Sequence, residues 1–289
     1  MCGYYTMTAS FPGGELHPNN GLRYERAGAL PVYRFDQLNT EPALVHAIFT
    51  RLGGVSLPPY ATLNLSHSVG DDPKAVEVNY NRVHRALHIH RSQTVTCHLT
   101  HSTHVFVVTA ADGGRSVGQG DAMITAEPGV YLSMRFADCV PILLHDPVQG
   151  AVGLAHAGWR GTVKNVAGAV IQALVSKLGC SPEKIMAVVG PAIGPCCYQV
   201  GSEIIQAVEA TFPRRGPAGD HGEPLLHRRT DHRAYFDLWE ANRRQLVAAG
   251  VGQVVVAGLC TACRTDHFFS HRAEQGHTGR FGAVIGYRE

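Results

Sequence analysis

Residues 135–163, RFADCVPILLHDPVQGAVGLAHAGWRGTV, carry the pattern that most restricts how this chain can fold. Two apolar runs of strand length, 140–144 and 151–154, flank the turn Asp146-Pro147-Val148-Gln149-Gly150, which predicts a β-hairpin. Cys139 enters the first strand behind Asp138. His156 leaves the second just before Gly158-Trp159-Arg160-Gly161. An antiparallel pair in register therefore brings a thiol and an imidazole to one end of the hairpin. That end is the candidate active site.

The rest of the chain alternates between two periods. Strand composition recurs at 44–50, 94–108, 121–125, 130–136, 185–189, 253–258 and 281–287. Helical spacing runs over 73–87, with Val76, Tyr80, Val83 and Leu87 on one stripe, and again over 202–212 and 237–249. A further stripe of Val163, Val166, Val170, Leu174 and Leu178 predicts a helix with Thr162 as N-cap and Gly179 at its end. Such a helix would begin beside His156 and offer free N–H groups to an anion. Mixed strands and helices without a boundary linker predict a single-domain α/β layered sandwich, mixed β-sheets flanked by helices, over 41–289. Residues 1–40 show no sustained period and read as an irregular N-terminal extension. The polar stretch 213–233 reads as a mobile insertion.

Charge and composition remove several classes of function. The chain has 289 residues, 45% hydrophobic and 17% charged, ordinary for a soluble enzyme with a real core. A net charge of +2 leaves no basic footprint for nucleic acid, and His227-Arg228-Arg229 lies in a polar loop. No apolar run approaches the about 18 residues of a membrane span. The first basic residue is Arg23, unlike the charged start of a secretory signal, so a cytoplasmic location is expected. Eight cysteines in so long a chain, with Cys196 and Cys197 adjacent, do not read as a disulfide scaffold, and reduced thiols are expected.

A soft thiolate with imidazoles suits Zn²⁺, which in catalytic sites keeps three protein ligands and one open position. Cys139 and His156 supply two. The run His98-Leu99-Thr100-His101-Ser102-Thr103-His104 offers a third, although strand alternation lets at most one or two of its histidines face one site. A buried cysteine beside a capping histidine is the alternative reading. Arg51, next to Gly53-Gly54, either presents its guanidinium to an anion or covers a turn. Cys260-Thr261-Ala262-Cys263 has metal or redox spacing, but as a single pair it reads as packing. No zinc-deaminase signature, Walker sequence or dinucleotide fingerprint occurs.

Five blocks in order, from residue 44 to the end, resemble the YfiH/LACC1 family: Phe49-Thr50-Arg51-Leu52-Gly53-Gly54-Val55-Ser56, Ala137-Asp138-Cys139-Val140-Pro141, His156-Ala157-Gly158-Trp159-Arg160-Gly161-Thr162, the Gly190 to Tyr198 stretch GPAIGPCCY, and Phe269-Ser270-His271-Arg272 with Thr278-Gly279-Arg280. Members are called laccase-like multicopper polyphenol oxidases and are described as purine nucleoside phosphorylases. The resemblance implies a YfiH-like fold and a His-Cys-His metal set, which maps onto His101, Cys139 and His156. His98 and His104 compete for the first place. The family's usual Gln-x-His-Gly is here Leu99-Thr100-His101-Ser102, which keeps the histidine and loses an amide and a glycine.

The activity implied is phosphorolysis of adenosine, inosine and S-methyl-5'-thioadenosine to a free base and a ribose 1-phosphate, with adenosine deamination beside it. Zinc is the implied ion, with copper as the other choice. Arg51, Arg160 and Arg272 are the candidates for phosphate. The partners expected are therefore a purine nucleoside and phosphate, with no nucleic acid and no membrane, in a monomer or homodimer. Two other enzymes remain open: a metal-free cysteine hydrolase using Cys139 and His156, and a copper-dependent polyphenol oxidase. One His-Cys-His set is short of ligands for the latter. A binding module without catalysis is a third class.

Overall fold

The computed structural model describes residues 21–39, 41–212 and 224–289. In chain order β1 (Leu22–Ala27), β2 (Leu30–Phe35) and β3 (Leu44–Phe49) lead to α1 (Pro73–Leu87). Then come β4 (Thr94–His98), β5 (Val105–Val107), β6 (Ser116–Gln119), β7 (Ala122–Thr125), β8 (Tyr131–Phe136) and the hairpin of β9 (Val140–Asp146) and β10 (Ala151–Ala157). The second half holds α2 (Trp159–Val163), α3 (Val166–Leu178), β11 (Met186–Val189), β12 (Gln199–Val200), α4 (Ser202–Thr211), β13 (Leu226–Arg228), β14 (Ala234–Phe236), α5 (Leu238–Ala248), β15 (Gln253–Val256) and β16 (Phe281–Tyr287).

These strands build a seven-stranded sheet in the order β1-β2-β3-β16-β8-β4-β6, a six-stranded sheet in the order β15-β11-β9-β10-β7-β5, and a small sheet β12-β14-β13. The order of layers follows from the alternation of side chains along the strands. On β9, Leu143 points to one side and joins Leu154, Val188, Ile48, Met134 and Phe281 in a core between the two large sheets. Ile142 and Leu144 point the other way, against Val170 and Leu174 of α3 and Leu246 of α5. The outer face of the seven-stranded sheet, through Val45, Ala47 and Val284, packs on Val83 and Leu87 of α1. The expected α/β sandwich of mixed sheets flanked by helices is thus observed. Among the described residues no helix is long and apolar enough to cross a membrane.

Three local expectations change. Residues 22–35 are not irregular: β1 and β2 pair throughout, Leu22 opposite Phe35 to Ala27 opposite Leu30, and β2 continues onto β3. Gly28, at φ +55°, makes the reversal between them. The helix after Gly161 is two helices. Gly158 precedes the five-residue α2, and Asn165, accepting from the Gly168 N–H at 3.0 Å, caps α3 in place of Thr162. The Thr162 side chain is instead buried, where it accepts from Asn242 Nδ2 at 3.0 Å. Of the polar stretch 213–233, the first eleven residues lie outside the described ones, while 226–228 pair with β14 instead of forming a loop.

Burial at the centre of the large sheet makes one titration visible in stability. His46 on β3 is 1% exposed, and its Nε2 accepts the Phe35 N–H at 2.9 Å. Burial, helped by Arg34 and His145, holds its pKa down to about 3. The unfolded chain takes up this proton near pH 6.5 and the folded one does not. Below pH 6.5 the protein should therefore lose about 1.4 kcal/mol of stability per pH unit through this residue, until pH 3 is approached. Urea unfolding of the wild type and His46→Gln between pH 7 and 4.5 checks it, since the variant should lack that increment of slope.

Candidate active site

The register of the central hairpin delivers the predicted juxtaposition. Ala157 lies opposite Val140 and His156 opposite Pro141, so the chain entering β9 and the chain leaving β10 meet at one end. Cys139 is the residue before β9. His101 arrives from the other side, on the turn between β4 and β5, at φ +57°. Its Nε2 stands 3.9 Å from Cys139 Sγ, and its ring meets that of His156 edge-on, with centroids 5.1 Å apart. The three ligand atoms lie within 4.8 Å of one another.

A tetrahedral ion bound at about 2.0–2.3 Å sets neighbouring nitrogen and sulfur ligands about 3.5 Å apart. The His101–Cys139 pair needs only a few tenths of an ångström of closure to meet that distance. The donor set also fits chemically, as two imidazoles and a thiolate suit zinc or copper. His98 and His104 diverge from this point. His98 lines the cavity onto which the three ligands open, whereas His104 packs edge-on against Phe106 at 4.4 Å.

Behind the imidazoles sits a carboxylate that the sequence did not reveal. Asp121, just before β7, is fully buried, and its Oδ1 is 2.9 Å from His156 Nδ1. The same carboxylate accepts the backbone N–H groups of Thr100, His101 and Ser102 at 3.1, 3.0 and 2.6 Å, and the Ser102 hydroxyl at 2.8 Å. Burial works against its ionisation, but the hydrogen bonds from His156 and Ser102 outweigh it and hold the acid well below the usual carboxylate range. With Nδ1–H pinned on Asp121, His156 turns Nε2 toward Cys139. Burial alone would lower the His156 pKa; the Cys139 sulfur and Asp121 reverse this and raise it to about 9. Cys139 is affected in the opposite sense, burial raising its pKa while His156 and His101 bring it down to about 6. The thiolate is therefore the form this site favours. A buried Asp at the start of the apolar run 122–125 must find a partner, and that need was the one signal the sequence carried.

All three ligands open onto a cavity of about 560 Å³, within the range of small-molecule sites. Arg160 and Arg272 line it, as do Arg135 and Arg280, two cations the sequence reading had assigned no role. Arg160 lies over the Trp159 ring at 4.3 Å and reaches Glu203 at 3.4 Å. Arg272 lies over Tyr198 at 5.2 Å, donates to the Gln199 carbonyl at 2.8 Å, and through its backbone N–H to Asp138 at 2.6 Å. Asp138, at φ +79° beside Cys139, also accepts from Thr261 Oγ1 at 2.7 Å, which holds the turn that aims the thiol.

Arg51 is not brought to this cavity. Its Nε donates to the Ala61 carbonyl and its Nη1 to the Thr265 carbonyl and to Glu274, the last two at 3.0 Å, and its guanidinium lies over Phe269 at 4.5 Å. It clamps two loops together, so the covering role prevails over anion binding. Its glycines do serve close approach: a Cβ on Gly54 would stand 2.1 Å from the Thr62 carbonyl oxygen.

Gly158 makes the tightest demand on the site. A Cβ there would lie 2.7 Å from His101 Cδ2 and 2.8 Å from Cys139 Sγ, while its φ of −77° suits any residue. Gly158→Ala should therefore leave the fold intact, displace two ligands and lower turnover by about a hundredfold. Circular dichroism beside a rate measurement checks this; an unaffected rate would show that the ligands have room to move.

Residues 45–288 match the family described as multi-copper polyphenol oxidoreductase laccase. A protein of Deinococcus radiodurans named purine nucleoside phosphorylase is 42% identical over 260 residues, covering 90% of this chain and 94% of its own length. Purine nucleoside phosphorylase YlmD of Geobacillus stearothermophilus is 40% identical over 255 residues, covering 85% and 90%. The crystal structure of that organism's YlmD superposes with a TM-score of 0.84 at 36% identity, covering 92% of this chain and 99% of that one. The Bacillus licheniformis protein YfiH superposes with the same TM-score at 32% identity, covering 93% and 100%. With this coverage of sequence and fold, the chain belongs to the multi-copper polyphenol oxidoreductase laccase family, the YfiH family of the sequence reading.

Proposed function

We propose that the protein is a zinc-dependent purine nucleoside phosphorylase acting on adenosine, inosine and S-methyl-5'-thioadenosine. The observation that carries the reading is the convergence of His101, Cys139 and His156 on the wall of a cavity lined by arginines. The relatives named purine nucleoside phosphorylase support it.

Phosphorolysis needs a bound anion, stabilisation of a cationic sugar in the transition state and a proton for the departing base. Arg160 and Arg272 hold the phosphate, with the Ser68 hydroxyl on the same cavity wall. Trp159 and Tyr198, beside these two arginines, give the cavity aromatic surface for the flat purine. His98 and His271 are the imidazoles that can protonate it. Zinc held by His101, Cys139 and His156 would supply Lewis-acid polarisation, the chemistry on which the adenosine deamination implied by the family resemblance would draw. Asp121 holds His156 in the tautomer that leaves Nε2 free to coordinate.

The test is release of hypoxanthine from inosine with and without phosphate, with ribose 1-phosphate measured as co-product. Release that proceeds equally without phosphate would replace phosphorolysis with hydrolysis. Arg160→Ala sharpens it. The Arg160 side chain is 52% exposed and its ion pair with Glu203 lies at the surface, so its removal should cost little stability. The KM for phosphate should rise roughly tenfold while that for inosine moves less. Equal rises in both would remove Arg160 from the phosphate subsite.

A further inference from the structure

Away from the His-Cys-His centre, the described residues gather one other set of metal-ligating groups. The sulfurs of Cys196, Cys197, Cys260 and Cys263 all lie within 4.8 Å of one another. Cys263 Sγ is 3.6 Å from that of Cys196 and 3.3 Å from that of Cys197. All four are free thiols. In sequence they are two separate pairs, one in the turn after β11 and one after β15, and only the fold joins them.

We propose that these four cysteines hold one zinc ion in a closed structural site, distinct from the catalytic centre. Zinc–sulfur bonds of about 2.3 Å place tetrahedral ligand sulfurs about 3.8 Å apart, and the observed spacings are on that scale. Four thiolates also leave no open position, which is the mark of a structural ion. The chain prepares for a thiolate at the buried member. Cys260 Sγ accepts the Gly194 N–H at 3.3 Å, a contact that favours a negative sulfur there. Thiols make poor hydrogen-bond partners for each other, so their convergence is better explained by a shared cation.

The consequence lies in the walls of the catalytic cavity. One ligand pair sits between Ile193 and Tyr198, which line it, and the other precedes the segment carrying His271 and Arg272. The two segments already exchange backbone hydrogen bonds, Ala192 N–H to the Leu259 carbonyl at 3.2 Å and Thr261 N–H to the Ala192 carbonyl at 3.1 Å. An ion at the four sulfurs would fasten them a second time and fix the distance between Tyr198 and Arg272.

The test uses the full chain purified without reductant. Cys139→Ala removes a ligand of the other centre and should retain about one equivalent of zinc. Its cobalt-substituted form should show the strong visible and near-ultraviolet absorption of a tetrahedral thiolate complex. Adding Cys263→Ser should abolish both ion and absorption and lower the unfolding temperature. Wild-type protein denatured in chelator should expose all eight cysteines as thiols. The proposal is overturned if the Cys139→Ala protein binds neither zinc nor cobalt, or if two thiols fail to react because Cys263 has formed a disulfide with Cys196 or Cys197. The Cys139→Ala measurement decides the matter even if the serine variant does not fold.

Discussion

Cys139→Ala should abolish phosphate-dependent release of base from adenosine and inosine, with a loss of roughly a thousandfold or more. Cys139 is partly buried at the cavity wall, and its Sγ lies within 4.8 Å of a nitrogen of each of the two imidazoles that share the site. The substitution removes one ligand and the local negative charge without opening the core, so the circular dichroism spectrum should not change. A rate comparable to the wild type would take the sulfur out of the reaction. The loss alone does not separate a metal enzyme from a cysteine hydrolase, because the favoured thiolate beside His156 would also serve a nucleophile. Chelation separates them. Wild-type protein stripped of metal should lose its activity and regain it with zinc, whereas a thiol nucleophile would work on without it. Stripped protein that keeps full turnover would decide for the hydrolase.

The elements read most accurately from sequence are those whose ends carry their own chemistry. For α1 the expected range is the observed one, because Asp72 accepts the Lys74 N–H, Pro73 takes the first turn, and His88 at φ +55° ends it. β16 is as clear, an apolar run of seven residues with no polar interruption. β1 was missed because it is an edge strand whose Arg23, Glu25 and Arg26 blur the alternation that marks a half-buried strand. In the site, Cys139 and His156 were legible as the ends of one hairpin, a relation local in sequence. Arg51 was not, since Glu274 and Phe269, which fix its direction, arrive from more than 200 residues further on. The four-cysteine cluster escaped for the same reason: Cys260 and Cys263 looked like an isolated pair until the turn after β11 brought Cys196 and Cys197 to them.

Asp121→Asn should show that the carboxylate, and not only the three ligands, makes the site. Each atom of the Asp121 carboxylate faces donors alone: Oδ1 receives His156 Nδ1–H and the His101 N–H, and Oδ2 receives the backbone and hydroxyl hydrogens of Thr100 and Ser102. An asparagine must turn its amide nitrogen toward one of these sets, so N–H confronts N–H whichever way it sits. If the nitrogen faces His156, the imidazole relieves the clash by moving its proton to Nε2, the atom needed for coordination. Breaking so buried a charged network should cost about 3–5 kcal/mol of stability. Metal affinity should fall by about 10–100-fold. Activity should then depend on added zinc, and excess zinc should restore part of it to Asp121→Asn but none to Cys139→Ala, which has lost a ligand outright. Denaturant unfolding and competition with a zinc chelator give the two numbers separately. An Asn variant as stable as the wild type and with equal zinc affinity would mean that His156 keeps its tautomer by itself, and Asp121 would then be a loop anchor with no part in the chemistry.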